Sequence, residues 1–168
     1  MRAYDGRGAS TTLLDAMVSH YDLEKPVDMV KVAYSEDFDK ARAASFAKAV
    51  SRCAQEGDAV ARDILVEAGG EVALGVTAVI RQLGMEGDRF VVGLIGGVFK
   101  SGEAFMSQFS SAILEVAPLA TIQPAKVPAA VGALVYGFYA LSELDSEIRE
   151  AIEDSAQPLV EKLRHKPA

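Results

Sequence analysis

Cysteine and tryptophan are scarce in this chain of 168 residues, which has one cysteine, Cys53, and no tryptophan. One cysteine cannot close an internal disulfide, and the sequence places no cluster of metal-ligating residues around it. The thiol falls on the apolar stripe of a predicted helix, which assigns it to the core rather than to redox chemistry. The cysteine content therefore excludes a disulfide scaffold and predicts a protein suited to a reducing cytoplasm.

Positive charge and long apolar runs are also in short supply. The formal net charge is −7, and this acidic balance argues against nucleic acid and against an anionic membrane as partners. The longest apolar stretch, Phe90 to Phe99, is about half of the roughly 20 residues that span a bilayer. Residues 1–5 lack the apolar core of a signal peptide. We expect a cytoplasmic protein.

Helical periodicity dominates the first half of the chain. Ser10 or Thr11 is a candidate N-cap for a first helix, and a second helical pattern begins at Glu36 and ends before Gly57. Asp58 is placed to cap a third helix that continues to Leu83. Two glycines interrupt that helix, Gly69 and Gly70, and each costs about 1 kcal/mol relative to alanine. Close approach of a neighbouring backbone would account for them.

The pattern changes to strands in the second half. The continuous apolar run Arg89 to Phe99 predicts a strand buried on both faces, as in a parallel sheet. A helix follows and is broken by Pro118, then Leu119 to Ile122 predicts a weaker second strand. Another helix begins at Pro128, and residues 143–165 form a charged amphipathic tail that Pro158 is expected to break.

This order predicts an α/β fold that is rich in helix and poor in strands. Strands that alternate with helices indicate crossover connections in a parallel sheet. A sheet of only two parallel strands would leave open edges, so the predicted sheet is incomplete and the chain is expected to self-associate. We find no internal repeat and no segment of low complexity.

Three glycines close the first strand and give the strongest local signal for a ligand. Gly93, Gly96 and Gly97 precede a helix that starts near Ser101, and ligands of open α/β sheets bind at the carboxyl ends of strands. Bare backbone would let a flat ligand lie against the turn, and a helix N-terminus favours anions. The spacing is neither that of a Rossmann motif nor that of a Walker loop. A tight strand-to-helix turn without a ligand explains the pattern equally well.

Other candidate residues have plain structural alternatives. Lys100 could face a phosphate or be a solvated surface charge. The small residues from Ala129 to Ala133 could admit a partner helix or could pack within the domain. His20 and His165 lie far apart and have no nucleophile motif beside them, which argues against a catalytic triad. The sequence assigns no catalytic residue and no metal ligand to this chain.

Several segments, in their order and spacing, resemble the C-terminal domain of the N-acetylglucosamine kinase and BadF/BadG/BcrA/BcrD ATPase family. RAYDGRGAST near the start is similar to the segment after the second phosphate-binding loop. Residues 37–69 resemble the two helices that cross the nucleotide cleft. VVGLIGGVFKS, residues 91–101, resembles the adenosine motif, and PAAVGALVYG, residues 128–137, resembles the second connecting helix.

The resemblance implies a ribonuclease-H-like, actin-like fold in which two domains enclose ATP. It makes residues 1–142 the nucleotide-binding C-terminal domain, lacking its first strands, and residues 143–168 a helical tail. Gly96 and Gly97 would line the adenosine site, Ala44 would touch the adenine or ribose, and Lys100 is a further candidate. Gly132 would be the close-contact glycine of the hinge.

The phosphate-binding hairpin, the catalytic aspartate and the second phosphate loop of the family are not found in this sequence. The resemblance thus implies one half of an ATP-dependent amino-sugar kinase, with ATP and Mg²⁺ held mainly by the other half and no activity alone. Two alternatives stay open, a BadF/BadG-type dehydratase activator and a non-catalytic interaction module. Cys53 alone cannot supply the thiolates of the iron–sulfur cluster that such activators share between two subunits.

Overall fold

The computed structural model describes residues 1–141 and 145–164, which divide into two compact units. The first unit contains residues 1–90 and 97–121, and the second contains residues 91–96 and those from 122 onward. The helices of the first unit are α1 (Leu13–Tyr21), α2 (Met29–Ala33), α3 (Lys40–Ser45), α4 (Ala47–Gln55), α5 (Ala59–Leu83) and α6 (Glu103–Val116). The remaining elements are β1 (Val91–Leu94), β2 (Thr121–Pro124), α7 (Ala129–Ala140) and α8 (Ser146–Arg164).

The two strands pair in parallel, as the sequence predicts. The Thr121 amide donates to the Phe90 carbonyl at 2.8 Å, and the Ala125 amide donates to the Leu94 carbonyl at 3.1 Å. Both bonds join residues 31 positions apart, since 121 − 90 and 125 − 94 are equal, and this constant offset defines a parallel register. The chain is therefore a helix-rich α/β protein with a two-stranded parallel sheet.

The first strand is shorter and more exposed than predicted. β1 ends at Leu94, and residues 97–100 form a 3-10 helix instead of continuing the strand. Val91 and Ile95 are each 57% exposed, so the expectation of burial on both faces is wrong. A two-stranded sheet offers too few neighbouring side chains to cover both faces of a strand.

The core of the first unit lies between α5 and α6. Phe105, Phe109 and Ile113 of α6 are almost completely buried. The facing stripe of α5 is made of small and aliphatic residues, namely Ala61, Leu65, Gly69, Ala73, Thr77 and Ile80. A β-carbon built on Gly69 would lie 2.5 Å from the carbonyl oxygen of Phe105. The predicted close backbone approach at this glycine is confirmed.

The helical pattern predicted from Glu36 is two helices rather than one. Asp39 caps α3 by accepting a hydrogen bond from the Arg42 amide, so the helix begins at Lys40. α3 ends at Ser45 and α4 begins at Ala47, with Phe46 between them. The ring of Phe46 packs edge-on against that of His20 and lies close to Tyr21. The break between α3 and α4, which the periodicity did not reveal, coincides with this aromatic packing against the end of α1.

Asp58 caps α5, as predicted, and its carboxylate also forms hydrogen bonds with residues near the start of the chain. One carboxylate oxygen accepts from the Ala61 amide at 2.8 Å. The other oxygen accepts from the hydroxyls of Thr11 and Thr12 and from the Thr12 amide, at 2.6 to 2.9 Å. Partial burial by itself would raise the pKa of Asp58, but the Ala61 and Thr12 amides and the threonine hydroxyls outweigh it and lower the pKa to about 2.

Replacing Asp58 by asparagine should destabilise the chain by roughly 1–2 kcal/mol at pH 6, because the cap loses its charge and part of its accepting capacity. The folded-state pKa lies below the ordinary value of 3.8, so this stabilisation is present above that value and is lost as pH falls towards about 2. Urea unfolding of both chains between pH 6 and pH 2.5 measures the difference. Asp63→Asn, on the exposed side of the same helix, is the control and should change stability little. A difference that grows on acidification would contradict the assignment.

The second unit has its own small core between α7 and α8. Val131, Ile152 and Ala156 are buried there. Val127, Val135, Phe138 and Ile148 pack around them. Pro158 lies inside α8, so the predicted break at this residue is wrong. A proline removes one backbone hydrogen bond of the helix, and the packing of α8 on α7 offsets part of that loss. The predicted tail limits, Glu143 and His165, lie outside the described residues.

In the part of the chain that the structure describes, none of the helices combines the length and the apolar character needed to cross a bilayer.

Candidate functional site

The turn after β1 presents open backbone. Gly96 has a φ of 115°, a conformation that favours glycine, and Gly97 begins the 3-10 helix that ends at Lys100. Both glycines are exposed, and a β-carbon built on either would meet no atom of residues 1–141 or 145–164 within 4 Å. Gly96 belongs to the second unit and Gly97 to the first. The main chain of each glycine is therefore not covered by side chains of its own unit.

Phe99 anchors this turn to the core of the first unit. Its ring lies 5.3 Å from that of Phe109 and 6.1 Å from that of Phe105, with edge-to-face geometry in both pairs. The next residue, Lys100, is exposed. One side chain of the 3-10 helix thus points into the hydrophobic core while its neighbour remains in solvent.

A recess of the first unit lies among α4, α5 and the start of α6, where Ser101 and Gly102 follow the 3-10 helix. Its volume is about 540 Å³, which falls in the range of small-molecule sites. It is lined by Ser51, Ala54, Gln55, Arg62, Leu65, Ser101, Gly102, Glu103, Ala104 and Ser107. All of these residues belong to the first unit, so the recess is formed within a single compact body.

The polar side chains that line the recess do not pair with one another. Arg62 and Glu103 both line it, and neither forms an ion pair with any residue between 1 and 141 or between 145 and 164. Gly102 has a φ of 114°, and the Gln55 amide nitrogen lies 3.7 Å from the position of a β-carbon built on it. The recess therefore holds a cation, an anion and an amide that are all available to a polar ligand.

The first turn of α6 adds donors at the same place. Gly102 occupies its N-cap position, and no side chain caps that turn. The first N–H groups of a helix have no partner within the helix and carry partial positive charge. These N–H groups favour an anionic group at this end of the recess, whereas the carboxylate of Glu103 on the same turn opposes one.

The structure brings together only some of the residues that the sequence singled out. Gly96, Gly97 and Lys100 lie on one turn, whose continuation, Ser101 and Gly102, lines the recess. Ala44 is exposed on α3 but does not line the recess. Gly132 is exposed on α7 in the second unit, and among the described residues no atom lies within 4 Å of a β-carbon built there.

Sequence reasoning missed most of the lining residues. Gln55 precedes the Gly57–Asp58 break between two helices, and Arg62 follows it by one helical turn. Glu103 opens the helix that follows the glycine turn. The sequence does show polar residues at the helix ends that meet the turn. Their position identifies a recess only once the packing of α4, α5 and α6 is known.

Two comparisons with known proteins concern the family of the chain. The family model of the BadF/BadG/BcrA/BcrD ATPase family matches residues 1–137. The chain is 28% identical over 135 residues to an N-acetylmuramic acid/N-acetylglucosamine kinase of Clostridium acetobutylicum, an alignment that covers 80% of this chain and 44% of the relative. The chain therefore spans less than half the length of this curated relative. With the match extending over most of its residues, the chain belongs to the BadF/BadG/BcrA/BcrD ATPase family.

Proposed function

We propose that this chain supplies the adenosine-binding part of an ATP-dependent amino-sugar kinase. The observation that carries the proposal is the open backbone of Gly97, in the segment that continues through Ser101 and Gly102 into a recess with free polar groups. Membership of an ATPase family and the likeness to a kinase acting on amino sugars support the choice of nucleotide and of substrate class. The ribonuclease-H-like fold of actin-like ATPases is part of this proposal.

The residues of the first unit fit a purine nucleotide. The backbone of Gly97 can approach the flat face of a base or a ribose without interference from a side chain, because the space beside it is empty. Lys100 is exposed at the end of the same turn and can attract a phosphate group. Ala44, on α3, is proposed to touch the adenine or ribose. None of these roles requires a side chain to react.

Phosphoryl transfer itself is proposed to need more than this chain. Catalysis of this kind depends on positioning and on stabilisation of charge by metal, lysine and backbone N–H groups. The glycine turn and Lys100 cover only part of such a set. We propose that Mg²⁺, most of the phosphate contacts and the sugar are held by a first domain, and that this chain alone is inactive.

The exposed face of α7 is the proposed contact with that first domain. Gly132 leaves room for close approach, and Leu134, Tyr136 and Tyr139 are at least half exposed on the same helix. Small residues allow two helices to approach closely, and tyrosine is enriched at protein interfaces. In this proposal Gly132 acts as a hinge contact between the domains.

Replacing Gly97 by valine tests the nucleotide site. A β-carbon at Gly97 would have no atom of the described residues within 4 Å, so we expect normal folding, but the valine side chain would occupy the surface on which the nucleotide is proposed to lie. A ligand at about ten times its dissociation constant stabilises the folded state by roughly 1.4 kcal/mol, which raises the melting temperature by a few degrees. ATP or ADP at millimolar concentration with Mg²⁺ should produce this rise in the unmodified chain and not in Gly97→Val.

Gly87→Val is the matched control, because Gly87 is also exposed with open space around it and lies before β1. It should keep the nucleotide response. If neither ATP nor ADP changes the melting temperature of the unmodified chain, the nucleotide proposal fails. Transfer of phosphate to N-acetylglucosamine or N-acetylmuramic acid, measured after adding a first domain from a relative, then tests the kinase assignment separately.

A further inference from the structure

We propose that the outer edge of β1 pairs with the same edge of a second copy of this chain, in antiparallel orientation about Gly93. The pairing would join two sheets of two strands each into one continuous sheet. This inference does not depend on the proposed nucleotide site, because it uses only backbone groups and exposed side chains of residues 91–95. It gives a location to the self-association that open strand edges predict.

The outer edge of β1 carries backbone groups that its neighbour does not use. In the part of the chain that the structure describes, β1 pairs with β2 alone. The carbonyls of Phe90 and Leu94 accept hydrogen bonds from β2 or the residue after it. The N–H and C=O of a trans peptide point in opposite directions, so the N–H groups of Val91 and Ile95 point away from β2. Backbone groups of alternate residues share an edge, which places those of Gly93 there as well.

This edge is exposed and lacks the usual protection against pairing. Val91 and Ile95 are each 57% exposed, and a β-carbon built on Gly93 would meet no atom of the described residues within 4 Å. Edge strands are commonly protected by a charged side chain or a proline, either of which opposes contact with another strand. Residues 90–99 contain neither. The edge of β1 is therefore open to an added strand.

The opposite edge of the sheet is protected. The amides of Thr121 and Ala125 donate to residues of the β1 segment, so Pro124 has its backbone groups on the outer edge of β2. Proline has no N–H to offer an added strand, and within sheets it occurs mainly at such edges. Lys126 follows two residues later and is exposed. Strand addition is thus favoured at β1 and opposed at β2, which limits the assembly to two copies.

The antiparallel arrangement makes the edge complementary to itself. With Gly93 on the two-fold axis, its N–H and C=O pair with those of Gly93 in the second copy. The N–H of Ile95 then meets the C=O of Val91 across the axis. A shift of one residue would set these outward groups against groups that already point to β2. The side chains of Val91 and Ile95 also lie opposite each other in this register and form an apolar cross-strand pair.

A strand of a different polypeptide is the rival occupant of this edge. The second copy is favoured because β1 itself supplies both the matching backbone pattern and the matching apolar side chains. The formal net charge of −7 opposes self-association in general, but the uncharged segment 90–99 brings no like charges into the contact. The interface is small, so we expect a weak and reversible dimer.

Paired charge substitutions at two exposed positions test the register. In Val91→Lys/Ile95→Lys, like charges would face each other across the axis. In Val91→Lys/Ile95→Glu, each lysine would face a glutamate of the second copy. We expect the first variant to dimerise roughly tenfold or more weakly than the second, by sedimentation equilibrium from micromolar to millimolar concentration. Circular dichroism of both variants checks that they fold alike.

Gly93→Pro tests the backbone pairing separately. It removes an outward N–H without removing a hydrogen bond to β2, so the chain should fold and remain monomeric. Ala129→Pro is the matched control, because it lies at the first position of α7, where proline is tolerated, and follows Pro128 with a ψ of 151°. This control should dimerise like the unmodified chain.

Three results would overturn the inference. The first is an unmodified chain that stays monomeric up to millimolar concentration, which is also the result expected if a strand of another polypeptide occupies the edge. The second is equal association of the two charge variants. The third is a folded Gly93→Pro chain that still dimerises. None of these results bears on the nucleotide response, which is measured by the change in melting temperature.

Discussion

Replacing Phe109 by alanine is expected to lower the free energy of unfolding by roughly 3–5 kcal/mol. Phe109 is 0% exposed, and its ring stacks on that of Phe105 with centroids 6.1 Å apart while Phe99 packs edge-on at 5.3 Å. Truncation removes these contacts and leaves a cavity that α5 cannot fill without moving. Domains of this size are stable by roughly 5–15 kcal/mol, so a large share of the total would be lost.

Leu114→Ala provides the comparison on the same helix. Leu114 is 41% exposed, so its truncation removes less buried surface and should cost well under half as much. Urea unfolding followed by circular dichroism gives the midpoint and slope for each chain. Equal losses in Phe109→Ala and Leu114→Ala would show that the core does not lie between α5 and α6.

Gly69→Ala is the second large effect, although alanine is normally the better helix residue by about 1 kcal/mol. The added methyl group would lie 2.5 Å from the Phe105 carbonyl oxygen and 3.3 Å from the Phe109 amide nitrogen. Backbone atoms cannot rotate out of the way as a side chain can, so α5 and α6 would have to separate. We expect a net loss of roughly 1–3 kcal/mol.

Gly75→Ala tests whether the contact or the helix propensity decides the outcome. Gly75 lies six residues later on the same helix and is exposed, and no atom of the residues that the structure describes lies within 4 Å of a β-carbon built on it. This change should stabilise the chain by about 1 kcal/mol, so the two variants should differ by roughly 2–4 kcal/mol. The same sign of change in both, measured by urea unfolding, would argue against close packing at Gly69.

The sequence predicted α5 well because its signals are local. Asp58 caps it, an apolar residue recurs every three or four positions, and the costly glycine at position 69 pointed to a close neighbour. The strand after Gly87 was predicted less well. An apolar run indicates that a strand tends to be buried. Whether both of its faces are covered depends on the number of neighbouring strands, which the run itself does not reveal.

In the candidate site too, features set by neighbouring residues were predicted, whereas features set by tertiary contacts were not. Gly96 and Gly97 were predicted because an open turn after a strand has a signature in consecutive residues. Gln55 and Glu103 were not, because they are 48 positions apart (103 − 55) and meet only through the pairing of α4, α5 and α6. Ala44 was assigned by resemblance alone, and its role stays a prediction.

The ring of Phe99, half-buried and packed edge-on against Phe105 and Phe109 of α6, has a consequence for how tightly a nucleotide could be held. Because Phe99 packs against Phe105 and Phe109, we expect residues 97–100 to keep the same conformation with and without a ligand. A loop that must first become ordered loses conformational entropy on binding, and that loss subtracts from affinity. In the proposed nucleotide site most of that ordering would take place when the polypeptide folds, so Gly97 would meet the purine as part of a preorganised surface.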